Sequence, residues 1–205
     1  MRTTEAAVEP GARIMRADAR RNRDRILAGA REAFAEYGSE TQMDDIARRA
    51  GVGVGTLYRH FPTKDALTSE LVKVKLTTFA ARARAKFEED ERPFESFADL
   101  LREHTEVMEA DASQQRMIFA MTKEALERVA PAAGELEEAT QRLIDRAQAA
   151  GELRGEVVVD DVRTLMCGLG SAMAADAIGV MPYDWRRTLE FTLDGMRTVS
   201  GRPGA

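Results

Sequence analysis

Apolar residues recur at helical spacing along most of this chain. Positions three and four apart are apolar and the positions between them are charged, which is typical of amphipathic α-helices that bury one face. The first two stripes consist of Ile26, Ala30, Ala33, Phe34 and Tyr37, and of Met43, Ile46, Ala47 and Ala50. The valines at 157–159 have no partner strand and are interpreted as an extended loop. The pattern therefore predicts an all-α fold.

Helix boundary signals separate the first two stripes. Asp18 can cap a first helix that ends at Tyr37, and Thr41 is placed to cap the second. Asp44 follows Thr41 at capping-box spacing. Gly51 ends the second helix, because glycine adopts the left-handed C′ conformation at little cost.

A third, short helix follows the turn. It starts near Gly53 or Val54 and ends at Phe61, because Pro62 disfavours helical geometry in the residue before it. Leu57 and Phe61 point inward. A face of small residues and hydrogen-bond donors that lies outward suits a DNA major groove, although a plain αα-hairpin fits the spacing equally well. The outward residues are Gly55, Thr56, Arg59 and His60, with Tyr58 on the flank.

The remainder of the chain predicts further helices. Thr63 caps a long helix that continues toward Glu88, and the sequence EEDERP at 88–93 interrupts it. The later boundaries are Pro131 and Gly151 as helix ends, and Asp160 or Asp161 and then Asp184 as caps. These signals predict a helical bundle in the second part of the chain.

Residues 41–67, TQMDDIARRAGVGVGTLYRHFPTKDAL, resemble the DNA-binding domain of the TetR (tetracycline-repressor-like) family of transcriptional regulators. The similarity covers roughly residues 20–70. It rests on Thr41, the segment DDIARRAGVGVGTLY, and Tyr58, His60, Phe61, Lys64 and Leu67. The resemblance implies an N-terminal three-helix helix-turn-helix DNA-binding domain and a C-terminal helical bundle for ligand binding and dimerisation.

The resemblance also assigns expected roles. It implies a sequence-specific repressor that leaves a palindromic operator when a small hydrophobic effector binds. Phosphate contacts are expected from Thr41, Thr56, Tyr58, His60 and Lys64, and base-contacting positions from Val54 and Gly55. Val54 and Gly55 offer no side-chain hydrogen bonds, so a contact to guanine is expected from Arg59 instead.

Positive charge is concentrated near the N-terminus. The net charge is −5, yet residues 11–65 contain eleven Arg and Lys against eight Asp and Glu. Arg20, Arg21, Arg23 and Arg25 lie at the start of the first helix, where cations oppose the helix dipole unless an anion is near. Beside a helix-turn-helix, phosphate is the expected anion, and Arg20, Arg21 and Arg23 are predicted DNA contacts.

Three segments follow from these signals. Residues 1–17 are expected to be a flexible tail, 18–67 the DNA-binding domain, and 68–205 the effector-binding and dimerisation domain. Cys167 is the only cysteine, which excludes an internal disulfide and favours a reducing compartment. We expect a cytoplasmic protein, because no apolar run could span a bilayer and the first residues lack a signal-peptide core.

Methionines are frequent in the predicted second domain, and methionine adapts to irregular cavities as well as to ordinary cores. Because the resemblance implies an effector pocket, we predict a ligand site with His104 as a polar anchor. Its predicted lining is Phe79, Phe97, Leu101, His104, Met108, Met117, Met121, Leu143, Met166 and Met173.

The last two predicted helices carry interior glycines at 168, 170 and 195. Glycine is unfavourable in a helix interior, and close approach of another helix would compensate. We therefore predict a homodimer through a helix-bundle interface. The predicted interface residues are Leu169, Gly170, Met173, Trp185, Leu189 and Met196.

Enzymatic activity is not expected. The two histidines and one cysteine show no metal-ligand spacing and no nucleophile motif, so no catalytic residue, metal or cofactor is predicted. The expected partners are double-stranded DNA, a small-molecule effector and a second copy of the chain, with no membrane. The alternative from another class is a helical adaptor that binds a protein rather than DNA, and the salt dependence of duplex binding distinguishes the two.

Overall fold

The computed structural model describes residues 10–89, 92–110, 118, 121–176, 179 and 183–198, without the side chains of residues 10–16, 39, 89 and 176. The chain divides into two compact units, Met1–Leu67 and Thr68–Ala205. Helices account for nearly all of the described residues, and Leu153 and Arg197 form an isolated antiparallel bridge. The all-α prediction is confirmed.

The first unit contains α1 (Pro10–Tyr37), a short 3-10 helix (Gly38–Glu40), α2 (Met43–Ala50) and α3 (Val54–His60). The four predicted apolar positions of α2 are all buried. Gly29 allows α1 to approach α2 closely, because a Cβ there would lie 2.8 Å from the backbone nitrogen of Ala50. Ile26, Phe34, Ile46 and Leu57 fill the space between the helices with almost no exposure.

Three details of the first unit differ from the prediction. Helix α1 begins at Pro10 rather than Asp18, so residues 10–17 are helix and not tail, while residues 1–9 lie outside the described residues. Tyr37 is 46% exposed although its position continues the buried stripe of α1. The N-cap of α2 is Gln42, without a side-chain capping bond, so the predicted Thr41 cap and its capping box with Asp44 are wrong.

The second unit contains most of α4 (Lys64–Glu89), then α5 (Pro93–Ala110), α6 (Lys123–Ala149), α7 (Val159–Asp176) and α8 (Trp185–Met196). Thr63 and Asp184 act as the predicted caps, because Thr63 Oγ1 accepts the Ala66 amide at 3.0 Å and Asp184 Oδ1 accepts the Arg187 amide at 3.1 Å. Helix α7 begins slightly earlier than predicted, and Asp161 accepts the Val158 amide at 3.0 Å.

Helix α6 runs through Pro131, so the predicted helix end at this residue is wrong. Proline removes one intrahelical hydrogen bond and is expected to break or kink a helix. Here the apolar stripe continues in phase on both sides of it, with Val129 before and Ala132 after, both buried. Burial of one continuous face outweighs the local preference of the proline.

A single hydrophobic core lies between α4, α5, α6, α7 and α8. Its largest fully buried side chains are Phe79, Phe94, Phe97, Leu100, Leu101 and Leu143. No helix among the described residues is sufficiently long and apolar to cross a membrane.

Candidate nucleic-acid interface and effector cavity

The turn between α2 and α3 is fixed by backbone contacts. Gly51 adopts the left-handed conformation with φ 61°, as predicted, and the Val52 amide donates to the Ala47 carbonyl at 3.0 Å. Arg25 Nη2 donates to the Gly51 carbonyl oxygen at 2.7 Å and so joins the turn to α1. A Cβ at Gly51 would collide with the Arg25 guanidinium. Both the positive φ and the arginine therefore require glycine here.

Helix α3 has a buried inner face and an exposed outer face. Leu57 and Phe61 are buried against the unit, as predicted, and anchor the helix. On the opposite face Val54 is 42% exposed and Tyr58 is 45% exposed. Gly55 and Arg59 are exposed as well, and Thr56 and His60 are half-buried at the flanks. This face is narrow and bears small residues toward its N-terminus, which are features that allow a helix to enter a major groove.

Thr41 does not belong to this outer face. Its side chain is 1% exposed, and its hydroxyl lies 3.0 Å from the Ala33 carbonyl oxygen and 2.8 Å from that of Gly38. The hydroxyl therefore joins the end of α1 to the start of α2. The expected phosphate contact from the Thr41 side chain is wrong for this structure, because the group is enclosed.

The predicted cationic contacts have different surroundings. Arg20 and Arg21 are exposed on α1, and Arg21 pairs with Asp18. Arg23 is half-buried. Lys64 is half-buried at the start of α4, with its Nζ 5.8 Å from the centre of the Phe34 ring. All four lie in the first unit, together with α3.

Arg49 joins α2 to α1. It is half-buried, pairs with Glu36 of α1, and lies 5.2 Å from the centre of the Tyr37 ring. Hydrogen bonds from Tyr37 and then Arg49 lower the pKa of Glu36. Together with Arg25, Arg49 fixes the C-terminal end of α2 to α1. Helical spacing marked both arginines as polar but could not identify their partners.

The second unit contains a partly open cavity of about 220 Å³. Its wall is mainly apolar and is formed by α4, α5, α6 and α7, together with Ile118. Four predicted lining residues are present, namely Leu101, His104, Met108 and Met166. The other residues of the wall were not assigned to the cavity by the sequence analysis. They are Val72, Lys75, Leu76, Leu100, Ala133, Leu136, Glu137, Thr140, Val159, Val162, Arg163 and Cys167.

The other predicted lining residues lie elsewhere. Phe79, Phe97, Leu143 and Met173 are buried in the core beside the cavity rather than in its wall. Met121 is half-buried outside the wall, and Met117 lies outside the described residues. Apolar periodicity identifies the inward face of a helix, but it cannot distinguish residues that meet a neighbouring side chain from residues that meet an empty space.

His104 is an ionisable group of this wall whose pKa is strongly shifted by its surroundings. Its ring stacks on Phe79 with the two ring centres 4.1 Å apart. Burial lowers the pKa of His104 to about 3, and the positive charges of Lys75 and Arg82 add to this effect. The imidazole is therefore neutral at neutral pH, with one nitrogen able to donate and the other able to accept.

The predicted dimer residues are mostly part of the protomer's own core. Leu169, Met173, Trp185 and Leu189 are between 0% and 5% exposed, and they pack within the second unit. Gly170 is also buried, and Met196 is half-buried. These side chains are thus enclosed within one chain and do not form an outward face. The predicted residues thus lie on the inner faces of α7 and α8.

The outer faces of α7 and α8 carry different residues. A Cβ added at Gly168 or Gly195 would meet no atom within 4 Å, and Ser171 is exposed between turns of α7. Phe191 on α8 is 63% exposed, the highest value among the large apolar side chains that the structure describes. Small residues and one large apolar ring on neighbouring surfaces are typical of helix-packing interfaces.

Within the described residues, no group of three or more His, Cys, Asp and Glu side chains is placed to hold a metal ion. Thr105, which lies beside the cavity, has a hydroxyl that donates to the Leu101 carbonyl at 2.6 Å. The arrangement is therefore suited to enclosing a small molecule.

Two family models together match most of the chain. Residues 26–71 match the model of bacterial regulatory proteins of the tetR family. Residues 92–198 match the model of the C-terminal domain of SbtR-like transcriptional regulators. The first match covers α2 and α3, and the second covers the helices that enclose most of the cavity.

Curated relatives match about a third of this chain. An HTH-type transcriptional regulator from Staphylococcus aureus strain bovine RF122 is 46% identical over 66 residues, which is 32% of this chain and 36% of that protein. The corresponding protein of strain USA300 is 44% identical over the same share of each chain. The chain thus matches about a third of the length of these relatives.

Solved structures extend the similarity over nearly the whole chain. A TetR transcription regulatory protein from Mycobacterium vanbaalenii has 30% identity and a TM-score of 0.64, over 89% of this chain and 99% of that one. A TetR transcriptional regulator from Streptomyces coelicolor has 28% identity and a TM-score of 0.60, over 87% and 99%. FadR from Bacillus subtilis, solved in complex with stearoyl-CoA, shares the fold at 20% identity, with a TM-score of 0.66 over 83% and 95%.

Proposed function

Because the chain belongs to the TetR family of bacterial transcriptional regulators, we propose that it represses transcription from a palindromic operator and leaves that operator when a small apolar effector binds. The observation that carries the proposal is the outer face of α3. Val54, Gly55, Tyr58 and Arg59 are exposed together on a helix whose inner face is fully packed. Such a face can enter a major groove without rearrangement of the unit.

Each exposed group of α3 has a chemical role in this proposal. Val54 contacts a thymine methyl group, and Gly55 lets the backbone approach the DNA. Arg59 donates to the acceptors of a guanine, since it is the exposed α3 side chain with a suitable forked geometry. Tyr58 binds phosphate from the flank of the helix.

Sequence-independent affinity comes from groups around α3. Thr56, His60 and Lys64 border its outer face, and the arginines of α1 add positive charge. These groups bind phosphate and fix the register of the helix, and they carry no sequence information themselves. The arginines of α1 proposed for this role are Arg20, Arg21 and Arg23.

A palindromic operator requires two copies of the chain. We place the two-fold interface on the outer faces of α7 and α8, supported by exposed Phe191 and by the open space around Gly168 and Gly195. The glycines allow helix axes to approach, and the phenylalanine supplies apolar area. A two-fold dimer presents two recognition helices to half-sites about 34–36 Å apart.

The effector site is the cavity of the second unit. Support comes from its apolar wall, its half-buried His104, and a fold shared with FadR, which was solved with stearoyl-CoA. Helix α4 contributes Lys64 to the first unit and Val72, Lys75 and Leu76 to the cavity wall. An effector weakens DNA binding only if it favours a conformation in which the two recognition helices no longer match the half-sites. The protein acts without catalysis and in the cytoplasm.

Selection of duplexes from a random library with the purified full-length protein tests this function. We expect a palindromic consensus from the wild type. Arg59→Ala should relax the preference at one base pair per half-site, whereas Lys64→Ala should weaken all duplexes alike. Lack of any enriched sequence would contradict the proposal, and equal, sequence-independent losses in both variants would remove Arg59 as a base contact.

A further inference from the structure

Charge is distributed unevenly in the wall of the cavity. Most lining side chains are apolar, but Lys75 of α4 lies between Val72 and Leu76 on the face that borders the cavity. The Nζ atom of Lys75 is fully buried. An ammonium group in apolar surroundings is favoured by a negative charge nearby, and it disfavours a second positive charge.

His104 is close to this lysine. The charge of Lys75 contributes to the lowered pKa of the histidine, after burial, and Arg82 contributes as well. Arg82 itself is 3.6 Å from Glu103. Since the imidazole is neutral at neutral pH, it can donate one hydrogen bond into the cavity beside the ammonium group.

The other charged groups of the described wall, Arg163 and Glu137, pair with each other. Arg163 Nη1 lies 3.0 Å from Glu137, and its Nη2 lies 2.8 Å from Asp160. Arg163 and Cys167 are exposed, so they mark the side on which the cavity reaches solvent. Lys75 is thus the cation of the described wall whose charged atom is buried, whereas Arg163 lies on the exposed side.

We propose that the effector is an amphipathic anion, an apolar body that ends in a carboxylate, and that its carboxylate lies against Lys75 and His104. This inference rests on the proposed function and specifies the chemical class of its ligand. The ammonium group supplies charge and the imidazole supplies one hydrogen bond, while the methionines and leucines of the wall enclose the body.

The size of the cavity limits the apolar body. A volume of about 220 Å³ exceeds that of an engineered cavity of about 150 Å³ that binds benzene. The space therefore accommodates a single aromatic ring with a short acid-bearing chain, or a medium-length acyl chain. Octanoate and 4-phenylbutyrate are suitable probes of these two shapes.

The test compares ligands that differ only in charge. Octanoate, 1-octanol and octylamine form one set, and 4-phenylbutyrate, 4-phenylbutan-1-ol and 4-phenylbutylamine form the second. Calorimetric titration of the full-length protein should show that the acid of at least one set binds about tenfold or more tightly than its alcohol, because charge-assisted hydrogen bonds are stronger than neutral ones. The amines should not bind.

Variants then locate the carboxylate. Lys75→Met should lower the affinity for the acid to within about twofold of the alcohol, because only the acid uses the ammonium group. Lys73→Met is the matched control, since Lys73 is exposed on the same helix and lies outside the wall, and it should leave the preference unchanged. If Lys75→Met does not fold, Lys75→Gln replaces it. The order in which the wild type binds acid, alcohol and amine tests the ligand class without any variant.

NMR gives an independent readout. The chain has two histidines, His60 and His104, so their ring signals are readily assigned with His104→Gln. A carboxylate beside His104 should raise the pKa of that histidine, and the alcohol should not. The inference is overturned if acid and alcohol bind equally in both sets, if no probe binds, or if Lys75→Met keeps the full preference.

Operator binding without ligand separates this inference from the proposed function. A protein that binds a selected palindrome but shows no preference for acids contradicts the ligand class alone. If the protein prefers acids through Lys75 but selects no duplex, the anion site is supported and the proposed DNA function is contradicted.

Discussion

At the scale of single residues, the partner of a polar group decides what it does. Thr41 and Arg25 both fitted a phosphate-binding role in the sequence, yet both bind backbone carbonyls in the structure. Helical spacing shows that a side chain points toward a neighbouring segment. It does not show which carbonyl or carboxylate lies there, because that depends on how α1 and α2 pack.

His104 gives a prediction of this kind for stability. Its pKa is lowered to about 3 in the native protein, below the ordinary value of 6.5, so the unfolded chain binds the extra proton first. Above pH 6.5 the imidazole is neutral in both states and does not affect the free energy of unfolding. As the pH falls from 6.5 toward 3, the unfolded chain is protonated and the native protein is not, so the free energy of unfolding decreases. Between pH 6.5 and 5 this loss amounts to at most about 2 kcal/mol.

Urea unfolding at pH 7 and pH 5 measures the effect. The free energy of unfolding of the wild type should fall more than that of His104→Leu, because the variant lacks this titrating group. Other ionisable groups are common to both proteins and cancel in the comparison. An equal decrease in the two proteins would mean that the imidazole is solvated and not enclosed.

At the scale of elements, most helices could be predicted from periodicity and capping residues. The C-terminal end of α2, the whole of α3, and the caps of α4 and α8 follow local rules. Helix α6 does not, since it continues through Pro131. The helix-breaking tendency of Pro131 does not end α6, because burial of the apolar face on both sides of the proline provides more stabilisation than the proline costs.

Replacement of the proline tests this explanation. Pro131→Ala restores the amide that can donate to the carbonyl four residues earlier, at a site that is exposed and interior to α6. We expect a gain of about 2 kcal/mol in the free energy of unfolding, the helix-interior penalty of proline less its entropic benefit in the unfolded chain. Thermal and urea unfolding measure it. An unchanged or lower stability would indicate that α6 starts at Pro131 in solution.

At the scale of the whole molecule, the fold class and family could be predicted from the sequence, whereas two surfaces could not. The core of the second unit was identified, but the periodicity did not separate the cavity wall from the core around it. It also assigned the inner residues of α7 and α8 to a dimer interface. Both errors have the same cause, because an apolar pattern reports burial and not what lies opposite the buried group.

The proposed interface predicts the effect of a charge at its centre. Phe191→Glu should raise the dimer dissociation constant by roughly a hundredfold, on the order of 3 kcal/mol, since a carboxylate would be desolvated against the partner chain. The fold should remain intact because Phe191 is 63% exposed in one chain. Sedimentation velocity measures the change, with Leu126→Glu on α6 as the control at an equally apolar, exposed site. Dimers of equal stability in both variants would place the interface elsewhere.

The most direct test of the account is the salt dependence of binding to a selected duplex, measured by fluorescence anisotropy. If Arg20, Arg21, Arg23 and Lys64 of each protomer bind phosphate, a dimer makes eight such contacts, and the logarithm of the binding constant should fall against that of salt with a slope of about −7. Lys64→Ala should reduce the slope by about 2, one contact per protomer. A slope near zero, or equal affinity for a scrambled duplex, would contradict DNA-binding regulation and leave a protein-binding adaptor as the better account.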